Sequence, residues 1–253
     1  APGLSITSNV FASNSVSNLS VDAVSSPATI AGNTFSGFGV RVNGGSFSQS
    51  TTWDAVAPYR LAWAVTIPAG VTLTLSPGVV VKADPYTQII VNGTLIADGT
   101  VQAPIVFTSL KDDTVAGDTN GDGPISMPGP GDWVGLGFSA TSTGSLLNHV
   151  EVRYAGYWFC CANGPPVAYN LDHSSASVYE KGASLAISNS VIRSGVGRGL
   201  WADGGSISVT STVIEDLSRA AVSGYFAASG IYLVNNVAAT ISSNTFRNNE
   251  YGV

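Results

Sequence analysis

The sequence is poor in what many folds rely on. It has two cysteines in 253 residues, and they are neighbours, Cys160 and Cys161. Adjacent thiols cannot tie distant segments together, so packing must hold the fold. Lysine is nearly absent: Lys82, Lys111 and Lys181 are the whole set. With a net charge of -6, this argues against a basic face for nucleic acid. Only 10% of residues are charged and mean hydropathy is slightly positive. Even so, no apolar run approaches the roughly eighteen residues of a membrane-spanning helix, and no membrane insertion is expected. No long segment carries apolar residues at helical spacing, so very little helix is expected. The first residue is Ala1 with no signal-peptide pattern after it, which fits a processed chain or an excised piece.

What is there is a series of short apolar pieces, VTLTL, GVVVKA, QIIVNG and PIVFTS, separated by glycine, proline, asparagine and serine. These are strand and turn signals. Five segments share one pattern: ITSNVF from Ile6, IAGNTF from Ile30, ISNSVI from Ile187, VTSTVI from Val209 and ISSNTF from Ile241. Each opens on a β-branched apolar residue, continues with small polar residues and closes on a large apolar one. Ile6 and Ile30 are 24 residues apart, and Ile187 and Val209 are 22 apart. A period in the low twenties built from strands and turns reads as one turn of a solenoid. Parallel strands then stack about 4.8 Å apart, and inward residues form apolar ladders. The fourth position of the pattern is Asn, Asn, Ser, Thr and Asn. Asparagine suits a corner because it tolerates the left-handed backbone region and bonds locally. A β-sandwich with accidental similarity is the competing reading.

A longer period overlies the short one. ATIAGNTFSGFGV (28–40) is similar to ATISSNTFRNNEYGV (239–253), with offsets of 211 at the isoleucine and 213 at the final valine. On this reading residues 1–45 are the terminal coils of one β-helix module. Residues 46–253 are the next, in a tandem chain whose neighbouring modules are partners. Chance similarity between turns of a solenoid competes with it.

Several stretches carry a family resemblance: VTIPAGVTLTLSPGVVVKA (65–83), IIVNGTLIADGTVQAPIVFTSLKDD (89–113), DTNGDG, PGDWVGLGF (130–138) and LLNHVEVRYAG (146–156). They resemble the secreted bacterial right-handed parallel β-helix repeat proteins, many of them adhesin-like. The resemblance runs from about Trp53 to Gly156. It implies an all-β, right-handed parallel β-helix on a cell surface or in the medium, with an extracellular polysaccharide or a surface protein as partner. The acidic, lysine-poor, serine- and asparagine-rich composition fits that setting. Fold does not assign chemistry, because the same solenoid carries lyases, hydrolases and tailspikes.

Acid is concentrated in KDDTVAGDTNGDG (111–123), which loops out of the coil rhythm before PGDW. Asp118, Asn120, Asp122 and Gly123 match positions 1, 3, 5 and 6 of the D-x-N-x-D-G calcium loop, whose alternate spacing lets oxygens converge around a sharp turn. Position 12 is Gly129 rather than glutamate, so this is no EF-hand, and Asp112, Asp113 and Asp132 are candidates for the missing ligands. A structural calcium ion is one reading; a solvated Asp/Asn/Gly turn is the other.

A second excursion, 154–179, concentrates aromatic residues. Tyr154, Tyr157, Trp158 and Tyr169, with Trp201 on a nearby coil, are candidates for ligand binding. Flat rings with polar tips suit sugar faces and protein partners; a mini-core under the loop is the bland reading. Cys160 and Cys161 form either a vicinal disulfide or a pair of buried thiols. An enzyme on this fold would draw on Arg153, Asp172, His173 or Glu180. No nucleophile motif such as G-x-S-x-G appears, and the polygalacturonase motifs other than a paired Asp are missing. A non-catalytic adhesion, polysaccharide-binding or stalk module is therefore favoured over a polysaccharide lyase or glycoside hydrolase.

Overall fold

In the strand Thr72–Leu75, TLTL, both leucines are buried and both threonines are half-buried. That two-residue alternation builds the whole molecule. A computed structural model describes residues 4–25, 29–157, 175–219 and 227–253. Their strands form a nine-stranded sheet, two seven-stranded sheets and two two-stranded sheets, and all strand pairs are parallel. A single 3-10 turn, Ala23–Ser25, is the helical content among the described residues. Each coil sends one strand to each of three faces, and each face pairs with its counterpart one coil on. The chain is a right-handed parallel β-helix.

The inward ladders are continuous. On the first face Val65, Ile89, Leu136, Val178, Leu200 and Ile231 are in register. On the second, Trp53, Leu75, Ala97, Leu147, Ile187, Val209 and Ile241 follow one another. On the third, Val40, Tyr59, Val81, Phe107, Val152, Ile192, Ile214 and Phe246 do so. Stacking these rows removes their apolar surface from water, at about 25 cal/mol per Å². No single coil could bury it alone.

The corners differ from the sequence expectation in one respect. The left-handed residue is the third of the repeat pattern, not the fourth: Ser8 (φ 58°), Gly32 (63°), Asn189 (49°), Ser211 (49°) and Ser243 (58°). Where the fourth residue is Asn33 or Asn244, it caps the coil before it. Asn33 accepts from the Asn9 N–H (2.9 Å) and donates to Ile6 O (2.7 Å). Asn244 accepts from the Thr212 N–H and donates to Val209 O, both at 2.8 Å. Asparagine is chosen there because one amide offers both a donor and an acceptor to neighbouring backbone. Asn244→Ala removes both bonds and should destabilise the chain by about 1–2 kcal/mol. A thermal melt would read this as a fall of several degrees, with Asn244→Asp in between.

Among the described residues the third face reaches furthest toward the start of the chain. The third begins at Leu19–Val21 and Val40–Val42 and continues through Tyr59–Leu61. The first and second faces begin at Gly45–Ser46 and Thr51–Trp53. Among the described residues, the earlier strands Ser5–Thr7 and Val10–Phe11 pair with Thr29–Ala31 and Thr34–Phe35 alone.

Candidate metal centre

The third face sets the electrostatics. Arg41, Arg60, Lys82, Arg153, Arg193 and Arg247 alternate with its inward apolar residues and so stand on its outer side. Six of the ten cations in the chain thus share one side of one sheet. Arg41 is in register with Arg60 and Arg60 with Lys82, and Arg153 is in register with Arg193. Like charges one coil apart repel, and acids beside the row relieve this. Arg60 is held in a fork by Asp84 at 2.8 and 2.9 Å. Glu151 and Glu215 take Arg193 and Arg247.

The loop from Lys111 to Asp132 supplies acid to the middle of this row. Asp112 is fully buried and meets Arg153 at 3.1 Å. It also accepts from Thr108 Oγ1 at 2.7 Å and from Thr114. Burial alone would raise its pKa. The hydrogen bonds from Thr114 and Thr108 and the Arg153 charge outweigh this and hold it below the usual carboxylate value. Asp132 is committed to Lys111 Nζ (2.8 Å), Ser109 Oγ (2.7 Å) and the Gly129 N–H (3.0 Å). The Asn120 amide donates to Ser126 Oγ at 3.0 Å. Two of the six candidate metal ligands, Asp112 and Asp132, are therefore occupied with protein cations, because the loop lies on a basic row that its sequence does not reveal; the Asn120 bond is made by Nδ2, not by the oxygen a cation would take.

The other three carboxylates converge. One carboxylate oxygen from each of Asp113, Asp118 and Asp122 lies within 4.8 Å of the others. Asp118 is fixed by the N–H groups of Asn120 (3.2 Å), Gly121 (2.6 Å) and Gly123 (2.8 Å). Those bonds, Gly123 foremost, lower its pKa. Asp113 goes the other way: burial, then the charge of Asp118, raise its pKa, with Lys82 opposing. Asp113 Oδ1 and Asp122 Oδ1 are buried and have no hydrogen-bond partner among the described residues. Beneath them Lys82 is fully buried and its Nζ donates to Gly117 O at 2.6 Å. Burial lowers the Lys82 pKa, and Asp112, Asp113 and Asp118 oppose that shift. Three carboxylates against one ammonium leave two negative charges. Two orphaned oxygens beside that excess suit a hard divalent cation with oxygen ligands.

The aromatic candidates separate. Trp201 stands in register between Tyr179 and Tyr232 on the first face, edge-to-face with them at 5.1 and 5.9 Å. The Arg198 guanidinium lies 4.9 Å from the Trp201 ring and 4.1 Å from that of Tyr232. Tyr157 meets Tyr86 edge-on at 4.6 Å. Tyr154 occupies a left-handed corner with φ 60°, the place held by Ser194 and Asp216 on later coils. Trp158, Tyr169, Cys160 and Cys161 lie outside the described residues, as do Asp172 and His173.

The enzyme candidates that are described carry structural duties. Arg153 binds Asp112 and Glu151. Burial lowers its pKa, but the hydrogen bond and charge of Glu151 and the charge of Asp112 outweigh this and raise it, the wrong direction for a proton acceptor. Glu180 is fully buried on the inward row between Phe138 and Ala202. Its carboxylate accepts from the Ala183 N–H.

The sequence reading missed the basic row and Tyr232. A signal exists in hindsight: VRV, YRL and VKA repeat an apolar–cation–apolar pattern, with the cations 19 and 22 residues apart.

Residues 45–152 match a family model described as a pectate-lyase like beta helix domain. The match begins where the first face begins and agrees with the stacked parallel faces on fold. No curated protein and no solved structure matches the chain.

Proposed function

We propose that the chain is a non-catalytic, extracellular β-helix module of a repetitive surface or secreted protein. Calcium stabilises it, and it serves as a stalk that presents adhesive or polysaccharide-binding surface. The observation that carries this reading is the convergence of Asp113, Asp118 and Asp122, with two buried oxygens unpartnered among the described residues, on a loop without strands. Bound there, a calcium ion would supply charge and fix loop shape rather than perform chemistry. An extracellular setting, where calcium is abundant, fits a site of few carboxylates and modest affinity. No helix among the described residues is long and apolar enough to cross a membrane. Polysaccharide contact is assigned to the exposed Tyr232 and the half-buried Trp201 beside it.

A ligand that binds only the folded state adds RT ln(1 + [L]/Kd), about 2.7 kcal/mol at a hundredfold excess over Kd. Calcium should therefore raise the melting temperature by roughly 5–10 °C, chelator should reverse it, and Asp118→Ala should abolish it. A melt indifferent to calcium would sink the metal assignment. Affinity should fall with acid, because the raised pKa of Asp113 lets it take up a proton, and lose its ligand oxygen, at a higher pH than an ordinary aspartate.

A further inference from the structure

The acid loop reaches further than the metal cluster. It leaves the third face after Ile105–Ser109 and is pinned by Lys82 through Gly117 one coil back. It then touches a residue three coils back: a Cβ placed on Gly121 would stand 2.8 Å from Phe38 Cζ and 3.1 Å from Phe38 Cε1. At about 4.8 Å per coil this spans roughly 14 Å. Gly121 has φ 75°, so a glycine is required both by conformation and by the ring against it. Between Gly121 and its root the loop crosses the level at which the first and second faces begin. It is a strap over that discontinuity.

Phe38 has a counterpart. In the alignment of 28–40 with 239–253, Phe38 falls on Tyr251, Gly39 on Gly252 and Val40 on Val253. The backbone agrees: the Asn18 N–H donates to Gly39 O at 3.3 Å, and the Ile231 N–H donates to Gly252 O at 2.9 Å. The two corners share this bond, and the second is two residues longer between its phenylalanine and its valine. They also differ in exposure. Phe38, under the strap, is half-buried, whereas Tyr251 is 60% exposed.

We propose that the corner at Tyr251 is a docking surface for a second copy of this module. The strand following Tyr251 would pair with the Tyr59–Leu61 strand of that copy, and its 111–132 loop would close over the Tyr251 ring. The occupant is set by the chain itself, which already seats Val40–Val42, two residues beyond Phe38, on Tyr59–Leu61 in this way. One sheet passes the joint: the first face of one module, holding Ser229–Val234 and its bridge to Tyr251, runs on as the third face of the next. The inference rests on the tandem reading proposed above and gives the loop its task, which is to lock successive modules together.

Hydrogen exchange of the chain tests the strap without calcium. Phe38→Ala should speed exchange at residues 29–42 and also at 115–123 by at least about tenfold, the factor given by about 1.4 kcal/mol of lost local stability. Phe38→Tyr, which installs the residue found at 251, should leave both unchanged. Loss of packing confined to the corner would move only 29–42 and overturn the strap. A calorimetric titration with calcium is read separately. If no calcium binds, the metal assignment falls and the exchange result still decides the strap. In a joined molecule of residues 1–253 followed by 41–253, the loop peptide occurs twice and should exchange as one protected population. Tyr251→Ala should split it into two equal halves. A split without that substitution, or none with it, would overturn the docking surface.

Discussion

Replacing Arg153 by methionine should destabilise the chain by about 3–5 kcal/mol, the cost of leaving a buried charge without its partner. Asp112 is fully buried, and Arg153 is its ion-pair partner. A solvated surface arginine would instead change stability by no more than about 0.5 kcal/mol, so denaturant unfolding at neutral pH separates the two cases. Arg153→Met combined with Asp112→Asn should recover part of the loss, since the stranded charge is gone. The pH dependence has a definite sign. The folded-state pKa of Asp112 lies below its unfolded value. Its contribution is therefore present above the unfolded pKa and is lost as pH falls through the folded one. The double variant should lack that acid limb.

Glu180 gives the second large effect, with the opposite sign. Burial raises its pKa from 4.5 to about 7, helped by the charge of Asp203 and opposed by the hydrogen bonds from Ala183 and Asp203. Its Oε2 has no hydrogen-bond partner among the described residues. The folded state holds the proton more tightly than the unfolded chain does. The contribution of Glu180 is therefore fully present below about pH 4.5 and is lost as pH rises through about 7. A tenfold difference in proton affinity between the two states is worth about 1.36 kcal/mol, so the whole change is up to about 3 kcal/mol. Glu180→Gln should match the native chain near pH 5. At about pH 8.5 it should exceed it by about 2–3 kcal/mol, or roughly 5–10 °C in a thermal melt. Equal pH profiles for the two proteins would mean that the carboxylate is solvated.

These two residues also mark where sequence reading stops. The ladders were legible because alternation and a period in the low twenties are local patterns, visible in TLTL and in the five repeat segments. The corners were half legible. Composition picked out the asparagines, but not that they cap the neighbouring coil while the residue before them carries the left-handed turn. The charge pairing was hidden, because Lys82 meets Gly117 and Arg153 meets Asp112 only after the excursion folds back on the third face. Asp112 and Asp132 therefore read as metal ligands in sequence and stand as ion-pair partners in the structure. Glu180 read as a candidate catalytic acid in an excursion, yet its place in the strand Ala176–Lys181 puts it on the inward side.

The most direct measurement is a crystal structure grown with calcium. The account predicts an ion about 2.3–2.6 Å from carboxylate oxygens of Asp113, Asp118 and Asp122, with Asp112 still on Arg153 and Asp132 still on Lys111. An ion held by Asp112 and Asp132, or a loop that stays free of metal at saturating calcium, would contradict it.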